Sequence, residues 1–282
     1  MSDPQFGWLI HGHQVIVESV PFGVRHGLSN PSLFAYYFKK KQITPFAMAA
    51  SIRYGWENYW HFFNDALGEL FGIPRDTPIV VPDFVQRTPY IREAFKRTQW
   101  LAQRRWVYQD QKTWVKARRW VFCRNRANNL EYLDRILDQL GVPKATSQPG
   151  MKVFISRRSA TSRRIKNEQQ IGEIAQRAGL TVLNTATMTL DQQITTFSRA
   201  EIVVGPHGAG LTNILFRRSG KLRLLEIFPK DLIAPHYFWL AKLYGHDYAS
   251  MLGGEVIDGE FVVDPKVFEH HLETVISGRS LP

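Results

Sequence analysis

The chain has 282 residues, 44% hydrophobic and 22% charged, a composition typical of a globular protein rather than a disordered one. Its net charge of +11 favours partners that carry phosphate, such as nucleotides, nucleic acid or an anionic membrane surface. Cys123 is the only cysteine, which excludes an internal disulfide and a cysteine zinc cluster and favours a cytosolic setting. We expect neither a secretory signal nor a spanning helix, because no apolar run approaches the ~20 residues that a membrane helix needs.

The first half of the chain shows strand and helix patterns in irregular alternation. The clearest is a helix at 56–71, where aromatic and aliphatic residues form one broad apolar stripe. The other predicted elements of this half are, in chain order, a strand at 14–19, a strand at 78–81, a helix at 90–101, strands at 106–108 and 120–122, and a helix at 130–140.

The second half alternates strand and helix regularly, which indicates parallel strands joined by crossover helices. The predicted strands are 152–156, 181–183, 202–204 and 222–227, and the predicted helices are 167–178, 189–198, 209–216 and 235–244. Residues 141–150, GVPKATSQPG, have linker composition. We therefore predict an α/β protein with two domains, 1–145 and 146–282.

Residues 203–213, VVGPHGAGLTN, break a buried strand with three glycines and a histidine before a helix. Such a turn lies at the carboxyl edge of a parallel sheet, where the helix N-terminus attracts anions and glycine allows close approach. We predict that this turn binds a phosphate, and the alternative is a tight turn that binds nothing. The candidate contacts are His207, Gly208, Ala209, Gly210, Leu211, Thr212 and Asn213.

An arginine-rich stretch at 153–168, VFISRRSATSRRIKNE, follows another predicted strand. Guanidinium groups bind phosphate through a planar fork of donors, so this loop is a second phosphate candidate, with a solvated charged loop as the alternative. Its candidate residues are Arg157, Arg158, Arg163 and Arg164. Glu226 ends the strand LRLLEI at the same predicted edge, as an acceptor for ribose hydroxyls or an ordinary strand-end acid.

Three ionisable residues recur every four positions near the start of the 56–71 helix: Glu57, His61 and Asp65. This spacing places them on one ridge of the helix. His61 among aromatic residues is a candidate general base, with Asp65 to orient it or to act as the base itself. The alternative is a buried histidine with a satisfied hydrogen bond.

Residues 100–122 interleave tryptophan with arginine and lysine. One interpretation is contact with an acceptor sugar or an anionic lipid surface. The alternative, which we favour, is a pair of strand edges with arginines that extend to solvent.

Three segments resemble glycosyltransferase family 61 and follow one another in the order expected of that family. FISRRSATSRRIKNEQQI is similar to the family's SR…RR…NE block, VVGPHGAGLTNILF resembles its HGAGLTN signature, and LLEIFP resembles the strand that follows this signature. ENYWHFFNDALGEL resembles the upstream HW helix, with Phe62 in place of the usual Trp and Asp65 in place of the usual Glu.

This resemblance implies a GT-B-like fold, with two facing Rossmann-like domains and an interdomain cleft, the first acceptor-side and the second nucleotide-sugar-binding. It implies an inverting transferase without a resident cofactor or essential metal, which uses a nucleotide sugar, with UDP-sugar favoured, and a glycan or lipid-linked glycan acceptor. Bacterial members of the family commonly resemble sugar transferases for capsule or lipopolysaccharide, which implies surface polysaccharide biosynthesis. From the composition we expect a cytoplasmic protein, with peripheral contact to the anionic inner face of the membrane as a further expectation.

The sequence has no Asp-X-Asp triplet, so arginines and His207 are expected to stabilise the leaving diphosphate. The remaining alternatives are a non-catalytic module that binds nucleotides or phosphoglycans, a basic nucleic-acid-binding protein and a sugar-nucleotide epimerase. No recognisable nucleic-acid-binding motif is present, so we expect no specific nucleic acid partner.

Overall fold

A computed structural model describes residues 9–11, 14–15, 42–52, 55–110, 112–123, 128–144 and 150–278. The chain forms two compact units, Met1–Ala127 and Asn128–Pro282. Both contain parallel sheets with helices, which confirms the predicted α/β class. Residues 16–19 of the strand predicted at 14–19, and 145–149 of the predicted linker, lie outside the described residues.

The first unit is organised around a four-stranded parallel sheet of order β5-β4-β3-β6, beside a short antiparallel pair of β1 and β2. Its described strands are β1 (Ile10–His11), β2 (Gln14–Val15), β3 (Gln42–Ser51), β4 (Ile79–Pro82), β5 (Trp106–Gln109) and β6 (Thr113–Val121). In β4 three consecutive β-branched residues are fully buried, as expected for an interior strand of a parallel sheet.

The helix predicted at 56–71 is a continuous helical segment at 59–72. The other described helices of the first unit lie between β4 and β5. The segment begins where the Asn58 side chain accepts from Trp60 N at 2.9 Å. Its parts and the other described helices are α Tyr59–His61, π Phe62–Ala66, α Leu67–Glu69, 3-10 Leu70–Gly72, 3-10 Asp83–Gln86, α Pro89–Arg97 and α Gln99–Ala102. At the C-terminal end of the 59–72 segment, Arg104 donates to the carbonyls of Leu70, Ile73 and Pro74. These bonds satisfy backbone acceptors that a helix end leaves unpaired.

The second unit contains a five-stranded parallel sheet of order β12-β11-β10-β7-β9, with β8 and β13 paired separately. The strands are β7 (Met151–Ile155), β8 (Arg164–Ile165), β9 (Thr181–Leu183), β10 (Ala200–Pro206), β11 (Arg223–Phe228), β12 (Asp247–Leu252) and β13 (Glu260–Phe261). With β7 as the first strand of this sheet, the order is that of a flavodoxin-like doubly wound fold.

Helices cover this sheet, and its core joins β7, β10 and β11 to two of them through Phe154, Val204, Leu225, Ile171 and Phe268. The α-helices are Leu130–Gln139, Glu168–Arg177, Leu190–Ser198, His236–Leu243 and Pro265–Ser277, and the 3-10 helices are Thr185–Thr187 and Ala209–Phe216. The helix predicted at 209–216 therefore exists but is a 3-10 helix.

Helix Leu130–Gln139 belongs to the second unit, because Arg218 ties it there. The Arg218 side chain is only 4% exposed and lies 3.3 Å from Asp134 and 2.8 Å from Asp138, both on this helix. It also donates to the carbonyl of Val142 at 3.0 Å. The division of the chain thus falls before the helix, whereas the predicted linker at 141–150 follows it.

None of the helices within the described ranges is both long enough and apolar enough to cross a membrane.

Candidate phosphate-binding and acid-base sites

The glycine turn and the arginine stretch lie at the same edge of the second sheet. β7 and β10 are parallel neighbours, with Phe154 opposite Val204, and the two segments follow their carboxyl ends. This pair of strands is also where the strand order reverses, since β9 lies to one side and β11 to the other. In open α/β sheets that reversal point is where ligands bind.

All three glycines of the turn lie close to this chain's own residues. A Cβ on Gly205 would lie 3.1 Å from the Cβ of Ile155, and one on Gly210 would lie 2.9 Å from Oγ1 of Thr185. A Cβ on Gly208 would overlap the guanidinium of Arg157. At Gly208 a cationic side chain approaches the bare backbone, and contact between a phosphate and this turn stays a prediction.

His207 is held by a buried carboxylate behind the turn. Its Nδ1 lies 2.5 Å from Oε1 of Glu226, and both residues are buried. The Tyr248 hydroxyl donates to the second oxygen, Oε2, at 2.8 Å. Glu226 is 0% exposed and both its oxygens are engaged, so the structure places it to orient His207, and direct contact with a ribose stays a prediction.

Aromatic rings enclose the His207 imidazole. Phe228 and His236 stack on it with ring centroids at 5.1 and 6.0 Å, and Tyr237 lies tilted at 5.4 Å. Burial is the main cause that raises the pKa of Tyr237, and Glu226 adds to it, whereas the Thr212 side chain, Arg157 and Arg163 oppose that shift. Arg157 lies against Gly208, the residue that follows His207.

The four arginines of the predicted loop have different environments. Arg157 packs on Gly208, and its Nη2 donates to the carbonyl of Ser162 at 3.1 Å. Burial first, and then the charge of Arg163, lower the pKa of Arg157. Arg163 is half-buried with φ of 55°, a left-handed conformation uncommon for a residue with a side chain. Arg158 is largely exposed, and Arg164 pairs with Glu260 at 3.0 Å.

The rest of the turn divides into buried and accessible residues. Leu211, Thr212 and Asn213 are fully buried, and Asn213 donates to Gln193 at 2.8 Å and to the Gly210 carbonyl at 3.1 Å. Ala209 and Gly210 are only half-buried. Within residues 207–213, these two are the most accessible for contact with a ligand.

In the first unit, His61 and Asp65 form the contact that their spacing predicts. Nδ1 of His61 lies 2.5 Å from Oδ2 of Asp65 on the 59–72 segment, with the Asp65 side chain buried and His61 half-buried. Glu57 is exposed and precedes the first residue of this segment, so it does not share a helical ridge with them. The turn that joins them is a π-helix, a form common at functional sites.

Glu69 continues this ridge one turn further and was not predicted as a site residue. Burial first, and the charge of Asp65 second, raise the pKa of Glu69 to about 8. Glu69 in turn raises the pKa of the Cys123 thiol, although burial is the larger cause there. The i+4 spacing from Asp65 was readable in the sequence, whereas the burial that perturbs Glu69 was not.

Two further residues of the second unit matter to the site and were not predicted as site residues, although Glu168 is the acid of the block that resembles the family's SR…RR…NE motif. Glu168 is 3% exposed and accepts hydrogen bonds from the start of the arginine loop. Tyr248 lies on β12, a strand that was not predicted, and reaches Glu226 across β11. Among the residues that the model describes, no group of three His, Cys, Asp or Glu side chains could hold a metal ion.

The aromatic-basic segment at 100–122 mainly contributes to the sheet of the first unit. Trp114 is buried in β6, and Trp106 of β5 packs edge-on against Trp56 with ring centroids 5.7 Å apart. The arginines Arg118 and Arg119 are exposed. These positions agree with the strand-edge alternative.

The family model for glycosyltransferase 61 matches residues 59–223, which is more than half of the chain. A comparison with curated proteins gives no significant match. The fold and the sites described above thus lie in a glycosyltransferase domain, and the chain belongs to glycosyltransferase family 61. The match spans His61, Asp65, the arginine loop and the glycine turn, and Glu57 and Glu226 lie outside it.

Proposed function

We propose that the protein is an inverting, metal-independent glycosyltransferase of GT-B type, with the donor machinery in the second unit and the acceptor machinery in the first. The observation that carries the proposal is the Arg157 guanidinium packed on Gly208, next to His207, at the strand-order reversal of the second sheet. A cation held at this edge suits the diphosphate of a nucleotide sugar. UDP-sugar is our favoured donor.

In the proposed reaction an acceptor hydroxyl attacks the anomeric carbon and the nucleoside diphosphate leaves. The developing negative charge on the diphosphate is stabilised by Arg157, Arg163 and His207 and by the backbone amides of Ala209 and Gly210. These charges are what supports a mechanism without an essential metal, together with the absence of an Asp-X-Asp triplet from the sequence.

The proposed general base is His61, oriented by Asp65. A carboxylate on Nδ1 fixes the orientation of the imidazole, and Nε2 is the nitrogen that we propose accepts the proton of the acceptor hydroxyl. Asp65 is buried, which favours the orienting role over direct proton transfer.

We further propose a hydroxyl of a glycan or a lipid-linked glycan as acceptor, in surface polysaccharide biosynthesis at the inner face of the membrane. The exposed cations Lys116, Arg118 and Arg119 on β6 support a peripheral contact with anionic lipid. The net charge of +11 also favours contact with an anionic lipid surface.

The test combines donor binding with turnover. Thermal-shift screening against UDP-, GDP- and CMP-sugars should identify one stabilising donor, and His61→Ala and Asp65→Asn should each lower its turnover at least 100-fold while binding is retained. Glu57→Gln, on the exposed stretch before the segment, serves as the control.

Stabilisation by no nucleotide sugar, with salt-dependent binding to random DNA instead, would contradict the proposal in favour of a nucleic-acid-binding protein. Donor binding without hydrolysis or transfer would favour a non-catalytic module.

A further inference from the structure

Glu168 places a carboxylate beneath the arginine loop. It is the first residue of helix Glu168–Arg177, yet its side chain is directed into the protein and is only 3% exposed. A buried carboxylate is stable only where donors surround it. The groups that stabilise the Glu168 carboxylate are therefore its hydrogen-bond and ion-pair partners.

Three donors at the start of the loop reach this carboxylate. Ser156 donates through its hydroxyl to Oε1, and the backbone N–H of Arg157 donates to Oε2 at 3.1 Å. Nε of Arg158 lies 3.4 Å from Oε1. The carboxylate thus fixes the chain direction at the point where it leaves β7.

Arg157 is consequently held at both ends. Its backbone is fixed by Glu168, and its guanidinium packs against Gly208 and donates to Ser162. Nε of Arg157 is buried and has no hydrogen-bond partner among the described residues. The guanidinium is therefore held near the turn by its backbone anchor, by packing on Gly208 and by the Nη2 bond to the Ser162 carbonyl, and not through Nε.

We propose that Glu168 is a positioning residue for diphosphate recognition, acting through Arg157. The inference rests on the proposed donor site and adds a residue that does not itself contact the ligand. In this account Glu168 sets the Arg157 backbone so that the guanidinium lies over Gly208 and meets the diphosphate beside Ala209 and Gly210.

Two physical effects predict opposite results when the charge of Glu168 is removed. If Glu168 acts only as a nearby negative charge, its neutralisation strengthens the attraction between the site and an anion. If it acts by holding Arg157, its neutralisation weakens diphosphate binding because the cation is no longer fixed. The sign of the change therefore separates the two roles.

The experiment is isothermal titration of UDP and GDP, with uridine and guanosine as phosphate-free probes. For the diphosphate that the wild-type protein binds, Glu168→Gln should weaken affinity at least tenfold and leave the affinity for the matching nucleoside unchanged. Glu173→Gln, an exposed position on the same helix, is the matched control and should change neither.

A double-mutant cycle tests whether Glu168 acts on diphosphate binding through Arg157. Arg157→Ala should weaken diphosphate binding, and addition of Glu168→Gln in that background should cause no further loss, whereas a general structural defect would add to it. If Glu168→Gln does not fold, Ser156→Ala, which removes one donor to the carboxylate, should give a smaller loss of the same kind.

The outcomes distinguish a failure of the proposed donor site from a failure of the role assigned to Glu168. A wild-type protein that binds neither diphosphate would overturn the proposed donor site and this inference together. Wild-type binding with equal or tighter binding by Glu168→Gln, or additive losses in the cycle, would overturn the role of Glu168 alone.

Discussion

At the scale of single residues, the glycines of the turn have different consequences although they share one motif. Gly205 faces the Cβ and carbonyl of Ile155, which belong to the sheet and cannot move aside cheaply. Gly208 faces the end of the flexible Arg157 side chain, which can. An added methyl group should therefore damage stability at Gly205 and ligand binding at Gly208.

We expect Gly208→Ala to weaken nucleoside diphosphate binding about tenfold or more while the unfolding temperature changes by only about 2 °C. The backbone at Gly208 is extended, so alanine introduces no conformational strain, and the effect comes from displacement of the guanidinium. Titration calorimetry and thermal unfolding measure the two quantities. Gly205→Ala should show the reverse pattern, and a Gly208→Ala variant with wild-type affinity would contradict the role assigned to Arg157.

Glu69 predicts a pH dependence in the first unit. The unfolded chain releases this proton near the ordinary value of 4.5 and the folded chain only near 8, so between these values the folded state binds more protons. Stability should therefore fall as pH rises from about 4.5 to 8.

Glu69→Gln remains neutral at every pH and should remove that fall. We expect the variant to unfold several degrees above the wild type at pH 8.5 and close to it at pH 5, as measured by thermal unfolding across the pH range. Glu57→Gln, an exposed position in the same unit, is the control. Parallel pH profiles for wild type and Glu69→Gln would show that Glu69 is not held protonated by its surroundings.

At the scale of elements, the sequence was most informative where a local pattern determines the structure. The strand at 181–183 and the helix at 189–198 were predicted almost to the residue, because Thr189 and Gln192 form a capping box that needs only neighbouring residues. Asn167 shows the limit of such reasoning. It occupies the N-cap position of the following helix and is a residue type that commonly caps, but its side chain instead exchanges hydrogen bonds with the backbone of Val263, which is distant in sequence.

Thr189→Ala should lower the stability of the second unit by about 1 kcal/mol, because the backbone N–H of Gln192 loses its bond to the Thr189 hydroxyl. The loss corresponds to roughly 2–4 °C in the unfolding temperature. Nucleotide affinity should be unchanged, since Thr189 makes no contact with the turn. A variant as stable as the wild type would show that the Thr189 cap does not contribute to the stability of the second unit.

The strands that were not predicted share a physical reason. β3, QITPFAMAAS, contains a proline and several alanines, which are poor local signals for a strand, and it is defined by its long parallel pairing with β6. Likewise, β8 and β13 are two-residue strands that exist only because they pair with each other. The glycine turn and arginine loop were predictable as separate candidates, but the Arg157–Gly208 packing that joins them depends on tertiary contacts.

At the scale of the whole molecule, the division of the chain can be tested by truncation. Helix Leu130–Gln139 buries Leu133, Ile136 and Leu137 and supplies both carboxylates that pair with Arg218. A fragment of residues 128–282 should therefore unfold cooperatively. A fragment of residues 146–282, cut at the boundary predicted from the linker composition, should be less stable by several kcal/mol, because it leaves Arg218 without its partners.

Thermal unfolding of the two fragments measures the difference. Equal stability would place the boundary at the linker and would show that the helix contributes little to the second unit.

Binding of a sugar nucleotide's diphosphate by the turn at 205–210 together with Arg157 can be tested by a crystal structure with bound UDP or GDP. We expect diphosphate oxygens within hydrogen-bond distance of the Arg157 guanidinium and of the Ala209 and Gly210 amides, at the carboxyl ends of β7 and β10. A nucleotide bound elsewhere on the protein, with Arg157 unchanged over Gly208 and no phosphate beside it, would contradict this assignment.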